Sequence, residues 1–325
     1  MNTYTTDTLA QMFERHLSHI NIPDEPQRLY APIRYSLMQG GKRLRPTLLL
    51  LAYNLFADDV ESALDAALAI ETFHNFTLLH DDIMDNAAVR RGRPSVHARW
   101  GANVAILSGD AMLISAYTFL KNIPPQILPA VLETFNRMAV QVCEGQQYDM
   151  DFESRRKVAV VEYMNMIALK TSALLAGAAA TGAIMAGAPE RDVQTLSRFA
   201  SELGMAFQLQ DDLLDSYGDE NLGKKIGGDI LEGKKTYLMV AAMSKATEEQ
   251  RQVLRSTHTR ADLTDAQKIA AVKALYDELD IPRTTRRQIS VRFARALAML
   301  DALAVPQERT AQLRIYSESL MGRNR

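Results

Sequence analysis

Cysteine and net charge are both scarce in this sequence. The 325 residues include one cysteine, Cys143, which excludes an internal disulfide framework and favours a reducing compartment. We expect this thiol to be an inert core residue, because no histidine or cationic partner for a reactive cysteine is evident. The 37 basic and 39 acidic residues leave a net charge of −2, which gives no support for a nucleic-acid partner or an anionic membrane surface.

Long leucine- and isoleucine-rich runs are also lacking. The first 19 residues mix polar, acidic and basic side chains, so we predict no secretory signal there. The longest uncharged stretch, residues 171–189, is rich in alanine and glycine, which favours a buried helix packed closely through small residues over a membrane span. Together these features predict a cytoplasmic protein without a membrane span.

Strand-like alternation is absent as well, and apolar residues recur at helical spacing almost throughout. The sequence therefore predicts an all-α fold, a large helical barrel or bundle. No low-complexity linker interrupts it, so we expect one domain over residues 1–325. Loops are expected at residues 21–26, 90–94 and 218–235. The predicted helices cover about residues 6–18, a segment ending at Gly40, 45–56, 60–85, 96–120, 124–152, 160–186, 190–217, 236–246, 247–256, 262–278, 283–303 and 307 onward.

Two acidic motifs of the form Asp-Asp-x-x-Asp end apolar helices. One spans residues 81–85 and the other residues 211–215. Helix positions i and i+4 share a face, so Asp81 and Asp85 point the same way, as do Asp211 and Asp215. Carboxylate clusters suit hard cations, and Mg²⁺ typically shares its coordination between one or two carboxylates, water and phosphate. We interpret the pair as two metal platforms facing one cavity and gripping a diphosphate; the alternative is two amphipathic helices with acidic ends.

Basic residues supply the opposite charge. Residues 40–46 read Gly-Gly-Lys-Arg-Leu-Arg-Pro, with three cations at a helix start, where phosphate is favoured. Arg90 and Arg91 follow the first acidic motif, and an arginine fork matches phosphate oxygens two at a time. Gly-Lys loops lie just past the second motif, at residues 223–236. Each of these segments taken alone could equally be solvated surface.

Jointly these motifs resemble those of the trans-isoprenyl diphosphate synthases. They follow the family's order over roughly residues 40–236, which makes the resemblance specific. It implies an isoprenoid synthase-type helical fold with a central cavity and a homodimer. It also implies an enzyme that condenses isopentenyl diphosphate with an allylic diphosphate, head to tail, by ionisation, condensation and proton loss.

The resemblance implies a role for each matching residue. The Mg²⁺ ligands, for three ions per active site, would be Asp81, Asp85, Asp211 and Asp215. The allylic diphosphate would be bound by Arg90, Lys170, Lys224 and Lys234. Isopentenyl diphosphate would be bound by Gly41, Lys42, Arg45, His74 and Arg91. The residues nearest the reacting carbons would be Lys170, Thr171 and Gln208.

Product length is expected to be short, C15 to C20. Phe76 lies five residues before Asp81 and shares a helix face with Phe73. In the family, large side chains just upstream of this motif form the floor of the product pocket. The alternative is that both phenylalanines are ordinary core residues.

Four other functions stay open from the sequence. A class I terpene cyclase shares the first motif, but Asp215 and Asp219 stand where its second motif has Ser or Thr and Glu. A di-iron bundle would use Glu71 and His74 but needs a second such pair. A metal phosphohydrolase would use His80 and Asp81, although further ligands are not evident. A non-catalytic subunit of a heteromeric synthase is the alternative that is not an enzyme.

Overall fold

A computed structural model describes residues 3–218 and 226–322, and these residues are helical nearly throughout. Short 3₁₀ helices cover Val60–Ala63, Leu120–Asn122 and Thr257–Thr259, and a π-helical turn covers Ala168–Ser172. In chain order the α-helices are α1 (Thr6–Ser18), α2 (Gln27–Leu37), α3 (Leu44–Asn54), α4 (Leu64–Met84), α5 (Val96–Trp100), α6 (Ala102–Phe119), α7 (Leu128–Ser154), α8 (Val160–Ile167), α9 (Ala173–Met185), α10 (Glu190–Tyr217), α11 (Gly228–Glu232), α12 (Tyr237–Lys245), α13 (Glu248–Ser256), α14 (Asp265–Glu278), α15 (Ile281–Leu300) and α16 (Gln307–Met321).

The all-α prediction is confirmed, with three local differences. At the expected loop of residues 90–94, two short antiparallel strands, Val89–Arg90 and Arg93–Pro94, pair with each other. The expected helix over residues 96–120 is broken at Gly101, whose φ of 91° is incompatible with a continuous helix. The expected loop before residue 235 contains α11. All three depend on backbone torsions that hydrophobic spacing does not report.

The chain forms two compact units, and the prediction of a single domain stays a prediction. The first unit takes its described residues from Met1–Met138, Leu174–Ser197 and Leu303–Tyr316. Its central helix is α4, which packs against α3 and α6. From Ala66 to Ile70 α4 is buried on all sides and almost inaccessible to water. A helix that is apolar all round can be stable only in a core, and α4 carries the first acidic motif at its end.

The second unit takes its described residues from Ala139–Ala173, Arg198–Ala302 and Ser317–Arg325. The core of this unit is formed by the apolar faces of α8, α10 and α12, with Leu209, Leu238 and Tyr276 among its most buried members. Helix α12 packs against α8, α14 and α15. Helix α10 enters this core through Met205, Leu209 and Leu213 and carries the second acidic motif.

Small residues in α9 allow close helix packing, as the sequence predicts. Ala178, Ala179 and Ala183 are fully buried. A Cβ atom at Gly182 would overlap the backbone carbonyl oxygen of Leu49 in α3, so only glycine fits at this contact. The closest approach between α3 and α9 is therefore made through backbone atoms.

Two helical segments of the described chain are long and apolar enough to cross a bilayer by length and composition. These are Ala102–Asn122 and Val160–Met185. Two thirds of the apolar window of the second segment is buried, as expected of a core helix, and only one third of the first. The predicted cytoplasmic location stays a prediction.

Cys143 is not a core residue, and the prediction that it lies in the core was wrong. It is exposed on α7, next to the buried Val142. Partial burial of the sulfur raises the pKa of the Cys143 thiol, and the negative charge of Glu144 raises it further. The thiol therefore lacks the cationic setting that would activate it.

Replacing Gly182 with alanine should destabilise the protein. In an unconstrained helix this change stabilises by up to about 1 kcal/mol. Here the added methyl group must push α3 and α9 apart, which should cost about 1–3 kcal/mol. Urea unfolding followed by circular dichroism measures the difference. Ser290→Ala, at an exposed position of α15, is the control and should change the midpoint little; a Gly182→Ala protein as stable as the wild type would contradict the packing argument.

Candidate active site

The first acidic motif lies at the C-terminal end of α4. Asp81 is half-buried and Asp85, the residue that caps the helix, is exposed, while Asp82 between them is almost inaccessible. The amide of Asp85 donates to the carbonyl of Asp81, so the helical turn persists to the end of the motif. Asp81 and Asp85 therefore lie one turn apart, as their spacing predicts.

Asp82 is neutralised by Arg90. The Arg90 Nε atom donates to Asp82 Oδ1 over 2.8 Å, and its Nη2 atom donates to Asp81 Oδ2 over 3.2 Å. Burial raises the pKa of Asp82, and this arginine opposes the rise through its hydrogen bond and charge. The ladder at residues 89–94 brings Arg90 back to α4. Arg90 thus lies beside the first motif and contacts two of its carboxylates, and its predicted role in binding the allylic diphosphate stays a prediction.

The cationic loop between α2 and α3 lies in the same unit. Gly41 and Lys42 are exposed, and Arg91 approaches the loop and donates from Nη1 to the carbonyl of Gly40. Arg45 is half-buried, and its Nη1 atom donates to His74 Nε2 over 3.0 Å. Because Nε2 accepts this bond, His74 is neutral with its proton on Nδ1.

The surroundings of His74 carry an excess of positive charge. Burial lowers the pKa of His74 well below its usual value, and the charges of Arg45 and Arg91 lower it further. Burial also lowers the pKa of Arg45 and that of Arg91. Several cations held together at a cost in charge repulsion are typical of a site that receives an anion. Of the five residues predicted to bind isopentenyl diphosphate, the structure brings Gly41, Arg45, His74 and Arg91 together, with Lys42 on the same loop.

A series of aromatic rings runs back from the first motif. The ring of Phe76 lies 4.8 Å from that of His80 and 5.5 Å from that of Phe73. Phe73 in turn lies 5.4 Å from Phe135 of α7. Both predicted chain-length residues are buried, and they share a helix face as the sequence predicts.

The second acidic motif repeats the burial pattern of the first. On α10, Asp211 and Asp215 are half-buried and Asp212 is almost inaccessible. Asp212 accepts hydrogen bonds from the Tyr163 hydroxyl, from the Tyr237 amide over 2.9 Å and from Gln208 Nε2 over 2.9 Å. Burial raises the pKa of Asp212 to about 6, although these three hydrogen bonds act in the opposite direction. In both motifs, then, the middle aspartate is buried and accepts hydrogen bonds from other groups of the protein.

Lys170 and Thr171 lie in the π-helical turn. Such turns are frequent at functional sites because they displace side chains from their helical positions. The backbone of Lys170 presses against Gly145 of α7, where a Cβ atom would overlap it. Lys170 Nζ lies 2.6 Å from Asp149 Oδ2, and Thr171 Oγ1 donates to Gln208 Oε1 over 2.9 Å. The hydroxyl proton of Thr171 is therefore donated to Gln208, which leaves the lone pairs of Oγ1 available to a positively charged group.

Asp229 is a residue of this site that the sequence argument missed. Its amide donates to Asp215 Oδ2 over 3.1 Å at the start of α11. Burial raises the pKa of Asp229 to about 7, and the charges of Asp215 and Asp212 raise it further. Its position between two Gly-Lys pairs was the available signal. Lys234 lies two residues after the end of α11 and forms an ion pair with Glu232, whereas Lys224 lies outside the described residues.

The carboxylates of both motifs fit magnesium in their chemistry. In the described parts of the chain, no three acidic, histidine or cysteine side chains converge closely enough to hold a metal ion by themselves. Mg²⁺ needs only one or two carboxylates when water and phosphate complete its octahedral shell. Burial raises the pKa of Asp229, the charges of Asp215 and Asp212 raise it further, and a nearby cation would oppose this rise.

Two alternative metal sites do not match these contacts. Glu71, which a di-iron site would need, accepts from Arg43 Nη1 over 2.8 Å, and both side chains are almost completely buried. His74 is engaged by Arg45. His80, which a phosphohydrolase would need, donates a hydrogen bond from Nε2 to the carbonyl of Ile106. Arg45 thus occupies the only unprotonated nitrogen of His74, and no group of three potential metal ligands includes His80 in the described part of the chain.

The chain is similar in sequence and in fold to known proteins. The sequence profile of the family described as polyprenyl synthetase matches residues 26–279. A geranylgeranyl diphosphate synthase of Methanosarcina mazei is 41% identical over 249 residues, which cover 73% of this chain and 76% of the relative. A crystal structure of a geranylgeranyl pyrophosphate synthase matches all of both chains with a TM-score of 0.93 and 41% identity.

A solved structure with bound ligands is also similar. The geranylgeranyl pyrophosphate synthase of Corynebacterium glutamicum, complexed with isoprenyl diphosphate and magnesium, matches 98% of this chain and 97% of its own. Its TM-score is 0.85 at 29% identity. The family profile covers more than half of the chain, and the relatives match it over most of their length. This chain therefore belongs to the polyprenyl synthetase family of trans-prenyltransferases.

Proposed function

We propose that this chain condenses isopentenyl diphosphate with an allylic diphosphate to make trans-prenyl diphosphates of 15 to 20 carbons. The observation that carries the proposal is the burial pattern common to both acidic motifs. In each, the middle aspartate is used internally, while the flanking pair lies nearer to solvent. Relatives that are 39–41% identical to this chain are named geranylgeranyl diphosphate synthases, which supports the short product.

We assign Asp81, Asp85, Asp211 and Asp215 to Mg²⁺, with three ions per active site. Bound Mg²⁺ would supply positive charge to the oxygens of the allylic diphosphate as it leaves. The solved relative with magnesium and isoprenyl diphosphate supports this choice of metal. Asp82 and Asp212 would hold the two motifs in shape through Arg90 and through Tyr163, without binding the ion.

The basic residues would position the two substrates. Arg90, Lys170, Lys224 and Lys234 contact the allylic diphosphate, and Lys170 exchanges its ion pair with Asp149 for the substrate. Gly41, Lys42, Arg45, His74 and Arg91 bind isopentenyl diphosphate. The neutral His74 donates from Nδ1, because Arg45 occupies its other nitrogen. A second diphosphate offsets the repulsion among these arginines.

The reaction then follows from charge placement. The allylic C1–O bond breaks, and both of its electrons leave with the diphosphate. The homoallylic double bond attacks C1, and the released diphosphate accepts the proton that is lost. Thr171 and Gln208 direct their oxygens toward the carbocation, and this stabilisation is largest as the bond breaks. Surrounding apolar side chains keep water from capturing the cation.

The assay that tests this function measures products directly. The purified chain is incubated with Mg²⁺, isopentenyl diphosphate and one allylic starter of 5, 10 or 15 carbons, and the products are identified by mass. We expect C15–C20 prenyl diphosphates, and no product after EDTA treatment. A cyclised hydrocarbon from farnesyl diphosphate alone would indicate a terpene cyclase instead. Lack of turnover by the lone chain with every starter would indicate a non-catalytic subunit.

Phe76 forms the floor of the product pocket in this proposal, and Phe73 supports it from behind. Phe76→Ala removes one ring from the buried series and leaves a cavity. The major product should then lengthen by one or more C5 units, as measured by mass analysis with a C15 starter. Phe13→Ala, at a fully buried ring on α1 of the same unit, is the matched control and should lower stability without lengthening the product. An unchanged product distribution in Phe76→Ala would remove the floor assignment.

We also propose that the protein is a homodimer, with α6 in the interface. Leu107 and Ile114 are 59% and 67% exposed, and Ile106 and Tyr117 on the same side of this helix are also exposed. Large exposed apolar side chains grouped on one side of a helix, here around the exposed Asp110, mark an interaction surface. Only 33% of the apolar window of Ala102–Asn122 is buried within the chain, so much of its apolar surface is left for a second copy to cover.

Charge on this face should dissociate the dimer. Ile114→Glu places a carboxylate in an apolar contact, where its burial is costly. Sedimentation velocity should shift from dimer to monomer for this variant. Val253→Glu, at an exposed apolar position on α13 of the other unit, is the matched control and should stay dimeric. A wild-type protein that sediments as a monomer would contradict the dimer proposal.

A further inference from the structure

Among the three cations of residues 40–46, Arg43 differs from Lys42 and Arg45 because it is buried and has no predicted role in substrate binding. Its side chain is only 2% exposed, whereas Lys42 is exposed and Arg45 half-buried. It is the residue that caps the start of α3, and its φ of 43° and ψ of 42° are in the left-handed region. A side chain larger than that of Asn or Asp rarely adopts this conformation, and it persists only where the surroundings impose it.

All three nitrogen groups of Arg43 are engaged by different helices. Nε donates to Glu14 Oε1 of α1 over 2.7 Å, and Nη2 donates to the carbonyl of Leu37, the last residue of α2, over 2.7 Å. Nη1 donates to Glu71 Oε1 of α4 over 2.8 Å. The guanidinium is planar and always charged, so these contacts fix its orientation and hence the backbone that carries it.

Glu71 joins this contact to the cationic site. It lies one turn before His74 on α4, it is 3% exposed, and it also accepts from Asn75 Nδ2. Its negative charge acts on Arg45 and Arg91 as well as on Arg43. Since burial disfavours the charge of all these groups, Glu71 is the carboxylate that allows the arginines to be held together.

We propose that Arg43, with Glu71 as its counter-ion, is a positioning residue that holds Lys42 and Arg45 in place for isopentenyl diphosphate without contacting the substrate. This inference rests on the assignment of the loop to isopentenyl diphosphate in the proposed function. Arg43 lies in the chain between Lys42 and Arg45, so a change in its left-handed torsions would change the direction of Lys42 relative to Arg45.

Kinetics separate this role from a purely structural one. Arg43→Gln should raise KM for isopentenyl diphosphate about tenfold, leave KM for the allylic substrate within about twofold, and change kcat at saturation little. Arg309→Gln is the matched control, because Arg309 is also a buried arginine of the first unit that pairs with an aspartate, Asp58, and a backbone carbonyl. It should lower the thermal midpoint without changing either KM.

Three outcomes would decide the matter. A thermal midpoint lowered in Arg43→Gln with both KM values unchanged, or raised equally, would overturn the positioning role. If Arg43→Gln does not fold, Glu71→Gln preserves the shape of the contact and should raise KM for isopentenyl diphosphate alone; no change there would equally overturn it. If Lys42→Ala leaves KM for isopentenyl diphosphate unchanged, the substrate assignment fails, and with it the basis of this inference.

Discussion

Repulsion among carboxylates at the ends of α4 and α10 is the constraint on which this structure depends. Each motif packs three aspartates into five residues, and like charges at this spacing destabilise a helix. The middle aspartate is buried in both motifs, which would be costly without partners. Asp82 is compensated by an arginine, and Asp212 by two tyrosines and a glutamine. Each helix end thereby keeps its shape while the flanking carboxylates stay accessible to a cation.

The same reasoning applies with opposite sign to the cationic loop of the first unit. Arginines repel one another and lose hydration when they are brought together, and one buried carboxylate, Glu71, offsets part of that cost. In the proposed function, the remaining excess of positive charge gives this region its affinity for a diphosphate. In this proposal stability and binding compete at the loop, with Arg43 serving stability while Lys42 and Arg45 serve binding.

Each of the two units contains one rigidly packed feature beside its proposed functional residues. The aromatic series from His80 to Phe135 is held by ring contacts about one turn apart on α4. The π-helical turn at Lys170 and Thr171 is wedged against Gly145, which restricts its movement. Rigid packing behind reactive groups maintains the geometry that charge stabilisation needs.

The sequence by itself determined the helical class, most helix bounds to within a few residues, both acidic motifs and the family, because hydrophobic periodicity, caps and motif spacing are local. It did not reveal that Asp82 and Asp212 are internal, that Arg43 differs from Lys42 and Arg45, that Cys143 is exposed, or that Asp229 belongs beside Asp215. Those distinctions required the tertiary structure, because they depend on which groups packing brings together, such as Asp82 with Arg90 and Arg43 with Glu71. Neighbouring identical side chains acquire different roles only when packing decides which of them loses contact with water.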